Sequence, residues 1–174
     1  LRGEVPVRFV FVGDGPAKPG LVERARALGL DNVTFMDPVP SQAAPALLAS
    51  ADIALIPLKG QLPGAVPSKT YEAMASATPI VMAAAGEAAA ILEAAQAGIA
   101  VAPGDAGAMA GAVRRLANDP ELRSRCGANG RRAALATYDR RAIADRFITR
   151  LENDVACAAS CSAPIRATAR PGLE

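Results

Sequence analysis

The sequence predicts a doubly wound α/β domain, a parallel β-sheet covered by helices on both faces, followed by a purely helical C-terminal segment. Three observations carry this. Short apolar runs alternate with helically spaced segments from Val7 to Val101. Those runs are apolar on both faces, the pattern of strands buried on two sides of a parallel sheet. Beyond Asp105 only helical spacing remains.

The elements follow in order. Val7–Val12 is apolar and β-branched and stops at the turn cluster Gly13-Asp14-Gly15-Pro16. Leu21, Ala25 and Leu28 recur at helical spacing, and Gly29 closes that helix. Val33–Met36 is the second strand, and Leu47, Leu48 and Ala51 mark a helix leading to a third, Ile53–Pro57. After a Gly/Pro-rich loop, Ser68–Ala77 reads as a helix and Pro79–Met82 as the fourth strand. Ala88–Ala97 is helical, and Gly98–Val101 is the fifth strand. Asp105 caps a helix carrying Met109, Val113 and Leu116, Pro120 opens the next, and Asp139 caps a third bearing Ala144, Phe147, Ile148 and Leu151. The expected domain spans residues 1–152, with 153–174 as a disordered tail of small residues, Arg, Pro and Cys.

Composition narrows the class. A chain of 174 residues suits one domain, and 51% hydrophobic residues suffice for a core. Aromatics are only 3%, with no Trp, so closely packed Ala-rich helices must replace bulky side chains. A net charge of +2 gives no footprint for nucleic acid. Of the 16 Arg, ten lie between Arg114 and Arg150, interleaved with acids at helical spacing, as on a solvated helix face. The Ala-rich stretch Ile80–Ile99 is interrupted by Gly86, Glu87 and Glu93, so no apolar run spans a bilayer. Three Cys without any His make no structural zinc site, and reduced thiols in the cytoplasm are the expectation.

In such sheets ligands bind at the carboxyl ends of the strands, near the switch in strand order. Gly13–Pro19, Met36–Pro40, Pro57–Lys69 and Ala83–Glu87 fall there. The third is the most informative: Gly64-Ala65-Val66-Pro67 feeds a helix beginning Ser68-Lys69. A helix N-terminus offers unpaired N–H groups and a partial positive charge suited to a diphosphate, and Lys69 adds a full charge. Glu72, one turn on, is placed to accept hydrogen bonds from paired ribose hydroxyls. Each also has a plain structural reading: Ser68 a helix cap, Lys69 a solvated cation, Glu72 an acid favoured in a first turn. Gly13-Asp14-Gly15-Pro16 lacks the third Gly of a dinucleotide fingerprint and reads as a turn.

These residues also carry a resemblance. Phe9-Val10-Phe11-Val12-Gly13-Asp14-Gly15-Pro16, Leu28-Gly29-Leu30-Asp31-Asn32-Val33-Thr34-Phe35 and Ala51-Asp52-Ile53-Ala54-Leu55-Ile56-Pro57 occur in the order found in the C-terminal lobe of family 4 (group 1) glycosyltransferases of the GT-B fold. Val66-Pro67-Ser68-Lys69-Thr70-Tyr71-Glu72-Ala73-Met74-Ala75, Pro79-Ile80-Val81, Gly86-Glu87, Pro103-Gly104-Asp105 and Asn129-Gly130-Arg131 extend the similarity over roughly residues 7 to 151. The Pro-Ser-Lys form resembles the branch that builds bacterial cell-surface polysaccharides.

The resemblance implies a Rossmann-like lobe and retaining transfer from a nucleotide-diphospho-sugar without a bound metal. It implies that the helix N-terminus near Ser68 and Lys69 holds the diphosphate, that Glu72 binds the ribose, that the strand end at Met36–Val39, with Met36 and Asp37, lies near the base, and that Gly64 and Thr70 are among the donor-binding positions. No residue of this lobe is thereby assigned as catalytic. Three positions depart from the family pattern. Gly64 stands where the family has a second Glu touching the sugar, Pro67 where many members have Gly, and Asp37 where Gly is usual. The family's basic phosphate residues and the acceptor lobe lie upstream, so a start at Leu1-Arg2-Gly3 rather than Met suggests a fragment, inactive alone. A cytoplasmic protein, with peripheral contact at the inner membrane face, is expected. The alternative is a free-standing nucleotide-sugar-binding module or donor-lobe subunit. A receiver-type signalling domain is disfavoured, because Asp52 opens its strand and the fifth strand ends Ala102-Pro103. A GT-B epimerase is disfavoured by the lack of His.

Overall fold

The computed structural model describes residues 1, 5–58 and 64–161. The chain divides into two compact units, Leu1–Ala136 and Thr137–Glu174. The first contains strands β1 (Phe9–Val12), β2 (Val33–Met36), β3 (Ala54–Pro57), β4 (Ile80–Ala83) and β5 (Gly98–Val101). Between and after them come helices α1 (Lys18–Ala27), α2 (Ala44–Ala49), α3 (Ser68–Ala75), α4 (Glu87–Ala94), α5 (Ala106–Asn118) and α6 (Pro120–Thr137), with a 3-10 turn at Ser41–Ala43. In the second unit α7 spans Arg140–Cys161. Every strand expected from sequence is present and every pairing is parallel, with Phe9 opposite Val33, Ala54 opposite Ile80 and Ile80 opposite Gly98.

One expectation is corrected. The strands do not form a single ladder: β1 pairs with β2, and β3–β4–β5 form a second sheet. Pairing requires two backbone edges about 4.8 Å apart, and the second edges of β1 and β3 do not meet in that way. Likewise the tail expected from residue 153 begins inside α7, which runs to Cys161. Ala156, Ala158 and Ala159 in that stretch are good helix formers, and the helix continues through them. The remainder of the expected tail, 162–174, lies outside the described residues.

The core sits around β4, whose Ile80, Val81 and Met82 are 0% exposed. Val81 packs with Ala112, Val113 and Leu116 of α5 and Cys126 of α6, flanked by Ile53, Leu55, Ile99 and Val101. Burial raises the pKa of the Cys126 thiol, so it stays protonated and serves as a small apolar side chain. Ile80 and Met82 alternate to the opposite face, the one covered by α3 and α4, which bury Ala73, Met74, Ala88 and Leu92.

Helix ends fix the connections. Asp105, Asp119 and Asp139 cap α5, α6 and α7 by accepting from the N–H groups of Ala108 (2.7 Å), Leu122 (2.8 Å) and Ala142 (2.9 Å). At the end of α1, Leu30 N–H donates to Ala25 O at 2.9 Å and Gly29 N–H to Arg26 O at 3.0 Å, with Gly29 left-handed at φ 60°. The same Schellman pattern closes α3 and α4, but around Ala77 (φ 57°) and Gln96 (φ 49°). Ala is a costly residue in that conformation, and α6 holds it in place. Arg131 Nη1 donates to Ala75 O at 2.8 Å, and Asn129 Nδ2 reaches Gln96 O at 3.5 Å. Gly127 and Gly130 leave room for this approach: a Cβ on Gly127 would overlap the Ala77 carbonyl oxygen, and one on Gly130 would lie 3.1 Å from Ala97 Cβ. Thr78 is tied across to α2 through its hydroxyl, which donates to Leu48 O at 2.7 Å.

The second unit is described by α7 alone. Phe147, Ile148, Leu151 and Val155 are exposed on it. Among the described residues no helix is long and apolar enough to cross a membrane.

Candidate functional site

The site expected from sequence begins at the carboxyl end of β3. Gly64 takes a left-handed turn (φ 73°), and Pro67, extended at φ −60° and ψ 133°, is the N-cap of α3. Ser68 is therefore the first helical residue and not the cap, and among the described residues no side chain caps this helix. An uncapped first turn leaves the N–H groups of Ser68 and Lys69 without intrahelical partners. Thr70 differs, because its N–H donates to Pro67 O at 3.0 Å.

Ser68, Lys69 and Glu72 are exposed. Among the described residues neither the Lys69 ammonium nor the Glu72 carboxylate has an ion pair or side-chain hydrogen bond. A cation and a carboxylate one turn apart, both free, flank a helix end with spare donors. That arrangement suits a ligand carrying an anion and, a few ångströms away, a pair of hydroxyl donors.

Thr70 stands apart from the other expected site residues. It is 0% exposed and its Oγ1 has no hydrogen-bond partner. With its N–H engaged and its side chain buried, it supplies packing beneath the helix rather than a ligand contact. An unsatisfied buried hydroxyl is destabilising, so Thr70→Val is expected to raise stability by about 1 kcal/mol. For a chain of this size that is roughly 2–4 °C in Tm, readable by thermal melting.

Met36 and Asp37 lie at the end of β2, on the other ladder. There Lys18, at the first turn of α1, donates from Nζ to Met36 O at 3.0 Å and to Asp37 Oδ1 at 2.9 Å. The Lys18 side chain is 23% exposed and that of Asp37 96%, so the pair is a surface tether of about 0–1 kcal/mol. Around it Asp14, Lys18, Pro19, Val22, Glu23, Arg26 and Asp37 line an open depression of about 550 Å³. Sequence reasoning missed Lys18. The available signal was a cation in the first turn of α1, where the helix dipole disfavours it unless a carboxylate or carbonyl is near.

The loop after β4 enters α4 through Gly86, left-handed at φ 71° and serving as N-cap, with Glu87 in the first turn. Among the described residues no three His, Cys, Asp or Glu side chains gather as metal ligands do.

Comparison with known proteins agrees with this fold. The family described as glycosyl transferases group 1 matches residues 1–119. Alpha-D-kanosaminyltransferase from Streptomyces kanamyceticus is 32% identical over 141 residues, which are 80% of this chain and 36% of that enzyme. Among solved structures, Anabaena HepE in complex with UDP-glucose superposes with a TM-score of 0.73 at 24% identity, covering 84% of this chain and 41% of that one. Sucrose-phosphate synthase from Thermosynechococcus elongatus superposes at 0.70 with 26% identity, covering 86% and 38%. The chain thus spans well under half the length of the proteins it matches. Parallel β/α architecture, C-terminal helices and sequence together place this chain among the group 1 glycosyltransferases, as the C-terminal lobe of their two-lobed fold.

Proposed function

We propose that this lobe binds the nucleotide-diphospho-sugar donor of a longer glycosyltransferase whose second lobe presents the acceptor. The observation that carries this reading is the first turn of α3, where spare N–H groups, the unpaired Lys69 and the unpaired Glu72 stand together. The diphosphate lies against the helix end and Lys69, and the ribose hydroxyls donate to Glu72. Met36 and Asp37, after β2, take the base edge. Gly64 offers no side chain to the sugar, so the transferred group is held by backbone and by the other lobe.

The reaction is transfer with retention, without a metal ion. As the bond from the sugar to the diphosphate breaks, negative charge grows on the leaving oxygens, and fixed N–H dipoles plus one ammonium stabilise it. The acceptor is a glycan or lipid-linked saccharide of bacterial cell-surface polysaccharide synthesis, met at the cytoplasmic face of the membrane. Neighbours of this fold were crystallised with UDP and UDP-glucose, which makes UDP the first ligand to test.

The test is titration calorimetry of the 174-residue chain with UDP, GDP, ADP and the corresponding nucleosides. Lys69→Ala is expected to weaken nucleoside diphosphates and leave nucleosides unchanged. The loss should shrink as salt rises, because an exposed charge is screened over about 10 Å at 0.1 M. Equal loss for nucleosides would remove Lys69 from the phosphate site. Without its second lobe the chain is expected to transfer no sugar, since it neither positions an acceptor nor excludes water. Turnover by the purified chain overturns that.

A further inference from the structure

Lys18 and Asp37 are joined although neither gains much stability by it. An exposed ion pair contributes little, and a cation on the first residue of α1 is opposed by the helix dipole. What the pair fixes is an orientation. Lys18 Nζ donates to Met36 O at 3.0 Å and to Asp37 Oδ1 at 2.9 Å, which leaves one of its three N–H bonds unused. Among the described residues Asp37 accepts only from Lys18, so Oδ2 and the second lone pair of Oδ1 remain available. The Lys18 side chain is 23% exposed and that of Asp37 96%, so the ammonium is anchored while the carboxylate faces outward.

The backbone beside them is already engaged. Met36 O accepts from Gly13 N–H at 3.3 Å as well as from Lys18, which fills both its lone pairs. The group left to read a ligand at the end of β2 is therefore the side chain of Asp37 and not the carbonyl of Met36. In the depression that the pair lines, Pro19 and Val22 form an apolar wall. Its ionisable lining is three carboxylates, Asp14, Glu23 and Asp37, against two cations, Lys18 and Arg26. Such a balance repels a phosphate and suits a flat, neutral heterocycle with an apolar face and a polar edge.

We propose, resting on the donor-site reading above, that Lys18 and Asp37 make this lobe select guanine, so that its donor is a guanosine-diphospho-sugar. The free Lys18 N–H, Asp37 Oδ1 and Asp37 Oδ2 present a donor and two acceptors side by side. Guanine offers the complement along its Watson–Crick edge, where O6 accepts and N1–H and the N2 amine donate. Each of these hydrogen bonds includes a charged protein group, the stronger kind. Uracil reads acceptor, donor, acceptor, which sets its O2 against a carboxylate oxygen. Adenine turns an amine toward the ammonium and a ring lone pair toward the carboxylate, and both contacts repel. Cytosine is reversed at every position. Hypoxanthine keeps O6 and N1–H and lacks only the amine.

Titration calorimetry of the 174-residue chain with GDP, IDP, UDP and ADP tests this. GDP should bind about ten- to a hundredfold more tightly than UDP, the discrimination that a bidentate base contact supplies, with IDP between them. UDP, with which HepE was crystallised, is the reference ligand. Asp37→Asn exchanges one acceptor for a donor and so matches uracil instead. It should weaken GDP by at least about tenfold and leave UDP as tight as before or tighter. The GDP-to-UDP ratio is read within one protein, so partial loss of folding, which weakens every ligand alike, does not imitate this result. If UDP or ADP binds as tightly as GDP, and Lys69→Ala weakens them all, the donor site stands and guanine selection is overturned. A preference for GDP that survives Asp37→Asn overturns it as well. If no nucleoside diphosphate binds, the donor-site reading itself falls, and the base assignment falls with it.

Discussion

Glu72→Gln should weaken nucleoside diphosphate binding by roughly ten- to a hundredfold, the range set by losing one charged hydrogen-bond acceptor. The substitution keeps the size of the side chain, exchanges one acceptor oxygen for a donor and removes the charge. Two ribose hydroxyls donating to one carboxylate would then face an amide with a single, uncharged acceptor oxygen. The side chain is exposed and unpaired among the described residues, so no interaction within the protein is lost and stability should not change. Glu93→Gln, on the exposed side of α4, is the control. Calorimetric titration with UDP distinguishes the outcomes. If both variants bind as tightly as the parent, Glu72 is only a surface acid, and the proposed ribose contact is wrong.

The second large effect concerns stability and begins on α6. Gly127→Ala and Gly111→Ala make the same chemical change on two helices, and their effects should have opposite sign. At Gly111 nothing lies within 4 Å of the new methyl group, so the gain in helix propensity, up to about 1 kcal/mol, is realised. At Gly127 the methyl would overlap the carbonyl oxygen of Ala77 and sit 3.7 Å from Pro79 Cδ. A backbone carbonyl cannot swing aside as a side chain can, least of all one in a left-handed residue closing α3. Separating the helices costs about 1–3 kcal/mol, and it also loosens the Arg131–Ala75 contact. The Tm of Gly127→Ala should fall by several degrees, at roughly 2–4 °C per kcal/mol, while that of Gly111→Ala rises. A neutral Gly127→Ala would show that α6 is not seated on the end of α3. Because α3 carries Lys69 and Glu72, the same variant should weaken UDP binding even though residue 127 lies in a different helix.

Much of this was present in the linear pattern. Strands apolar on both faces, helical spacing between them and Asp at each later helix start are local properties, and the chain realises them locally. The five strands, the caps at Asp105 and Asp139 and the position of Ser68 and Lys69 at a helix start all follow from residues within a few positions of one another. Gly29 at the end of α1 is legible for the same reason, because only the left-handed conformation closes that turn cheaply.

What only the tertiary structure decided involves partners distant in sequence. Ala77 and Gln96 close helices in a conformation their side chains disfavour, held by contacts from α6 that no local window contains. Thr70 reads like its neighbours Lys69 and Glu72, yet burial turns it inward, since a helix presents successive residues about 100° apart. The Lys18 tether to Met36 and Asp37 joins residues 18 and 19 positions apart. The division into two ladders depends on which backbone edges meet, a property of the assembled sheet. Sequence determined the elements and the chemistry at their ends, because those obey short-range geometry. Packing determined which side chains face solvent and which edges stay open, because burial depends on everything that lies across the core.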